Sequence, residues 1–165
     1  MLEEIKFSSL ESFKTSNDYT KYTTSTDIEE QFVGKHLNEF IKQYNPTVFI
    51  STTKENYDFK DCGPLIIIGT CIGNIELNYP CFISIRTIEN ILTKKKLIVN
   101  CLECVEIKDI KCEDDFIMLT RHNHIINSEH FYVGRNLYLS DNVKLEAKSL
   151  IVGKKLETKS LDVGE

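Results

Sequence analysis

The sequence predicts an all-β fold with an N-terminal helix: a β-solenoid of short strands, helix-capped at its N-terminal end. Three observations carry that expectation. From Thr47 onward, short apolar segments such as VFIS, LIIIG, FISI, KKLIVN, FIML, FYVG, LYL and SLIVG are separated by two to several polar residues, and no convincing helix follows. Apolar pairs beginning at Ile66, Phe82, Leu97, Phe116, Phe131 and Leu150 recur at intervals of 16, 15, 19, 15 and 19. The chain closes on two near-copies, LEAKSLIVG and LETKSLDVG, offset by 11 and identical at seven of nine positions. Coils of two or three strands, with alternate residues inward and corners between strands, produce such a pattern. No coil buries its own edge, so neighbours must stack. The alternative is an antiparallel β-sandwich, but the Asn-Gly and Asp-Gly hairpin dipeptides favoured there are missing.

Residues 1–26 are rich in Ser, Thr, Asn and charge and read as a flexible or loosely docked lead-in. Within them Phe7, Leu10 and Phe13 form an apolar triplet suited to docking on the domain itself or on a partner. Residues 27–46 predict an amphipathic helix with apolar positions Ile28, Phe32, Leu37, Phe40, Ile41 and Tyr44. Thr26 with Glu29 fits a capping box, and Asn45-Pro46 ends the run. Gly34 in its middle costs about 1 kcal/mol relative to Ala, so tertiary packing must hold this helix. It is expected to cover the first coil of a solenoid spanning 47–165. Gly69, Asn100, Gly134, Gly153 and Gly164 are expected at corners, being of the residue types that adopt positive φ cheaply.

The formal net charge of −5 argues against a general nucleic-acid binder, which needs an electropositive surface. The start, MLEEIKFSSLESF, lacks signal-peptide character, and no run approaches the roughly 18 apolar residues of a membrane span. A cytoplasmic protein with six reduced cysteines is the expectation.

SLIVGKKLETKSLDVG resembles the repeats of bactofilin-type, polymer-forming β-helix proteins, in which short Val/Leu strands alternate with Gly corners. The resemblance covers the C-terminal part of the chain and implies a catalytically silent module that associates end to end.

Three constellations invite chemistry. Cys101, Cys104 and Cys112, with His122 and His124, have the ligand types of a structural zinc site, but a lone C-x-x-C in an extended segment reads more simply as buried thiols. The same residue types could pair a thiol nucleophile with a base, yet nothing distinguishes one cysteine from the rest. Glu103, Glu106, Asp109, Glu113, Asp114 and Asp115 could serve a carbohydrate-active enzyme, a glycan-binding protein or a Ca²⁺ site, or else form solvated corners. His122-Asn-His124 reads as a polar loop and Gly69-Thr-Cys-Ile-Gly73 as a corner. The function expected is therefore non-enzymatic, with no cofactor and no small-molecule substrate. The module would bind a protein partner or its own copies through the C-terminal end. Leu150, Val152, Leu156, Leu161 and Val163 form the candidate association surface, since no capping helix or charged block follows them.

Overall fold

The computed structural model describes residues 9–101, 107–120, 124–140, 143–158 and 160–163. Three helices come first: α1 (Leu10–Lys14), α2 (Asn17–Thr23) and α3 (Ile28–Tyr44). The strands are β1 (Thr47–Ser51), β2 (Tyr57–Phe59), β3 (Leu65–Gly69), β4 (Cys71–Leu77), β5 (Cys81–Ile85), β6 (Thr87–Thr93) and β7 (Leu97–Cys101). They continue as β8 (Asp109–Cys112), β9 (Phe116–Thr120), β10 (His124–Val133), β11 (Asn136–Leu139), β12 (Val143–Val152), β13 (Lys155–Glu157) and β14 (Ser160–Val163). Odd strands stack into one sheet, β1-β3-β5-β7-β9-β11-β13, and even strands into a second, from β2 through to β14. Every neighbouring pair is parallel, as a coil requires and an antiparallel sandwich forbids. The protein is a β-solenoid.

The register corrects the spacing read from sequence. Ile66 does lie beside Phe82, Leu97 beside Phe116 and Phe131 beside Leu150. Phe82, however, pairs with Ile98, not Leu97. Phe116 and Phe131 belong to opposite sheets and meet edge-on across the core, with ring centroids 5.2 Å apart. The true neighbour of Phe116 is Leu137. The terminal echo likewise does not stack copy on copy: Leu145 pairs with Leu161 in the second sheet, while Leu156 pairs with Leu137 in the first. Each coil uses similar strand-and-corner letters in both sheets, so likeness between segments does not reveal which sheet a segment joins.

The two sheets bury different patterns. Between them lies one core, in which Leu65, Cys81, Leu97, Phe116 and Leu137 form a continuous inward row of the first sheet. Strands of the second sheet alternate, as Ile75, Glu76 and Leu77 show by lying buried, exposed and buried. The first sheet is apolar on both faces: Leu65 through Ile68 are all buried. A second cluster explains this. Its outer-face residues Val48, Ile50, Ile66, Ile68, Phe82, Ile98 and Leu119 pack under Phe13, Tyr22, Val33, Leu37, Phe40 and Ile41 of the helices. The helical cover thus meets the first coil through Val48 and Ile50, but it extends along the side of the solenoid as far as β9 instead of sitting only over the end.

Residues read as a loose lead-in form α1 and α2, each N-capped by a serine, Ser9 and Ser16. Leu10 and Phe13 dock on the domain, as one reading of the triplet expected, whereas Phe7 lies outside the described residues. Helix α3 starts one residue later than the capping box implied, because Asp27 Oδ1 accepts from the Glu30 amide at 3.1 Å. It ends at Asn45, whose φ of 45° is left-handed, just before Pro46. Gly34 is explained by contact: a Cβ there would meet the Tyr22 carbonyl oxygen at 2.0 Å. Its absence lets α2 cross α3 closely. Gly69 turns a corner at φ +139°, but Asn100 is no corner; it is buried within β7 and donates to Ser84 Oγ at 3.0 Å.

Candidate association surface

The inward rows of the core reach the last coil and lose their cover. Leu137 of β11 is 1% exposed, while Leu156, one coil on in the same row, is 37% exposed. In the second sheet Phe131 and Val133 are fully buried, but their neighbours Leu150 and Val152 are only partly so. β14 pairs with the first half of β12, Lys144 to Ala147, and among the described residues no strand pairs with the outer edge of β13 or of Ser149–Val152. The edge therefore offers apolar side chains beside unpaired backbone groups. Of the five residues expected to form the association surface, Leu150, Val152 and Leu156 stand together at this end. Leu161 and Val163 are described by backbone only, in β14.

Adjoining that end is the bare outer face of the second sheet. The register aligns Asp58, Glu76, Leu92, Lys111, Tyr132 and Ile151 in one row. Leu92, Tyr132 and Ile151 are exposed, Ile151 to 59%. This row was not singled out from sequence, although strand alternation marks it once the parity of each strand is fixed. Beside it each coil bends. The Glu129 and His130 amides both donate to the Lys108 carbonyl, so two successive side chains point outward. Corresponding positions carry Glu89, Lys108, Glu129 and Lys148, alternating in sign along the stack, and Lys148 Nζ lies 3.6 Å from Glu129. The face is charge-striped and interrupted by single apolar side chains.

A groove of about 420 Å³ runs between α3 and the last strands of the first sheet, lined by Phe32, His36, Ile117, Tyr138, Lys155 and Glu157 among others. Here the outer row changes from apolar Ile98 and Ile117 to Tyr138 and then Glu157. Ile28 and Phe32, expected in the apolar stripe of α3, are instead exposed, because the buried stripe runs from Val33 to Ile41. Burial holds the His36 imidazole below its ordinary value; Glu39 acts against this, and Lys96 and Lys35 add to it.

Comparison with protein-family models, curated proteins and solved structures finds no match. The solenoid thus stands on the register alone, and no relative supports the bactofilin resemblance. Among the described residues no helix is long and apolar enough to cross a membrane.

The other constellations come apart in three dimensions. Cys104, His122, Glu103 and Glu106 lie outside the described residues, and only the backbone of Cys101 and His124 is described. Cys112 points into the core with its thiol pushed up to about 12 by burial, which disfavours the thiolate that a metal or a nucleophile needs. Burial raises the Cys81 thiol as well. Asp114 and Asp115 face Arg135 at 3.5 and 3.7 Å, and Asp115 Oδ1 also accepts from the Asn136 amide and side chain. These carboxylates fasten a corner. Asp109 lies at the opposite end of β8, hydrogen-bonded to His130 at 3.0 Å. Asp109, Glu129 and His130 bring their ligand atoms within 4.8 Å of one another. Lys148 Nζ already pairs with Glu129 there at 3.6 Å, and the trio continues the polar corner column of Asn74 and Asn90.

Proposed function

We propose that the chain is a non-enzymatic association module, a rigid β-solenoid that docks another chain at its last coil. One observation carries this reading: the same inward row that is 1% exposed at Leu137 is 37% exposed at Leu156. Covering a leucine or valine fully is worth about 1.5–3 kcal/mol, so Leu150, Val152 and Leu156 together supply the apolar centre that an interface needs. The bare face carrying Tyr132 and Ile151 runs into that centre and supplies a mixed rim. A scaffold needs no pocket, and Asp114 and Asp115, the carboxylates that most suggested chemistry, are engaged by Arg135 at a corner.

Lysine at Leu150 or Leu156 tests the reading. Leu150→Lys and Leu156→Lys should abolish capture of co-purifying chains or of the protein itself by immobilised protein, whereas Leu92→Lys, several coils away, should retain it. Undiminished capture by both last-coil variants would sink the proposal.

A further inference from the structure

We infer that the occupant of the last coil is a second copy of this chain, joined tail to tail across a two-fold axis with β13 of each copy paired antiparallel. The inference rests on the docking surface proposed above and adds its partner. The free edge of β13 is Lys155-Leu156-Glu157, with no strand beyond it among the described residues. A strand edge recruits another strand through its unpaired backbone groups. In an antiparallel pair centred on Leu156, Leu156 meets its own counterpart and Lys155 meets Glu157 of the other copy, twice by symmetry. The three-residue strand is therefore complementary in charge to itself in the antiparallel sense. Parallel self-pairing in register would oppose Lys to Lys and Glu to Glu, which is unfavourable.

The opposite end of the solenoid explains why assembly stops at two. In the first coil, Phe49, Tyr57 and Phe59 are all nearly buried, with ring centroids 5.1 to 5.4 Å apart. These aromatics close the core that Leu150, Val152 and Leu156 leave open at the other end. β1 and β2 are edge strands too, but their inward side chains are covered, so among the described residues an edge beside exposed inward apolar side chains occurs at the last coil alone, and association there closes into a dimer; an open filament would need two such ends.

Lys155 and Glu157 also contact each other within one chain, so single variants alone would confuse the internal pair with the intermolecular one. Mixing resolves this. Lys155→Glu gives a strand with two acidic side chains, and Glu157→Lys a strand with two basic ones. Each variant should dimerise roughly tenfold more weakly than the wild type, or worse, because like charges then face each other in both cross-strand pairs. A one-to-one mixture should recover wild-type dimerisation with one copy of each, because every facing pair is again opposite in sign. Light scattering across a concentration series, with native mass spectrometry of the mixture, reads both results, and circular dichroism checks that each variant is folded.

A mixture no more dimeric than its components, beside a wild type that dimerises, would overturn the pairing. So would a dimer indifferent to both substitutions, and growth into long polymers would overturn the closed end. A wild type that stays monomeric at every concentration would overturn the second copy as partner. The docking surface itself would survive that result if a different chain were captured in a Leu156-dependent way, and would fall with it if none were.

Discussion

The two sheets of this solenoid share a backbone, a hand of pairing and a core, yet their outer faces have opposite fates. Beneath the helices, the first sheet presents Val48, Ile66, Phe82 and Ile98 in one outer row, all buried. The equivalent row of the second sheet reads Asp58, Glu76, Leu92, Lys111, Tyr132 and Ile151, and it is bare. What separates them is composition along the row: all four positions of the first are apolar, whereas in the second Leu92, Tyr132 and Ile151 alternate with the charged Asp58, Glu76 and Lys111. Where the row is apolar without a break, covering it is favourable, and the helices together pack on residues of five strands, β1, β3, β5, β7 and β9. As the row turns polar at Tyr138 and Glu157, the cover ends and the groove beside His36 opens. A solenoid sheet is thus a two-sided surface whose outer side is specified independently of its inner one.

The sharpest way to break the comparison is to truncate matching positions. Phe82→Ala should destabilise the fold by about 3–5 kcal/mol, because it opens a cavity between sheet and helices, while Leu92→Ala on the bare face should change stability by no more than about 0.5 kcal/mol. Denaturant titration of both variants checks this; equal losses would mean that the helical cover contributes nothing.

A smaller effect tests how closely the cover is seated. Gly34→Ala should cost about 1–3 kcal/mol, since the added methyl would strike the Tyr22 carbonyl, even though Ala is the better helix former by about 1 kcal/mol. A stabilised variant would show that α2 is free to move aside. Smaller again is Tyr22→Phe. The Tyr22 hydroxyl lies 3.1 Å from Ser84 Oγ in a buried polar node that includes Asn100, and its removal should cost about 1 kcal/mol.

The smallest effect concerns pH. His36 titrates below its ordinary 6.5 in the folded chain because burial penalises its charged form. The unfolded state then binds more protons than the folded one as pH falls through 6.5 towards the lower folded value. Stability contributed by neutral His36 is present above that window and declines through it. Thermal unfolding between neutral and mildly acidic pH should be flatter for His36→Gln than for the wild type, and parallel curves would remove His36 from the account.

Much of this architecture is written locally. Alternation in IEL, the Asn45-Pro46 stop and the short apolar segments each follow from φ/ψ preferences and side-chain period within a few residues. The contrast between continuous LIIIG and alternating NIEL also marks which sheet is buried on both faces, a signal that the intervals between apolar pairs do not carry. Of the candidate surface, the sequence showed that Leu150, Val152 and Leu156 fall in late apolar segments, which become β12 and β13, whereas the row through Leu92, Tyr132 and Ile151 emerges only when coils of unequal length are brought into register. Asn100 shows the limit of residue-type reasoning. A Gly-like corner residue by composition, it became a buried hydrogen-bonding group because its neighbour in the preceding coil is Ser84.

By itself the sequence determined that the chain is a stack of short strands preceded by a helix, because periodicity and turn chemistry act over a handful of residues. Only the tertiary structure decided which strand lies on which, that Phe116 faces Phe131 and not the next coil, and that the helices lie along the flank. Those outcomes depend on contacts between residues far apart in the chain, where many registers satisfy the same local pattern and simultaneous burial of both faces selects one.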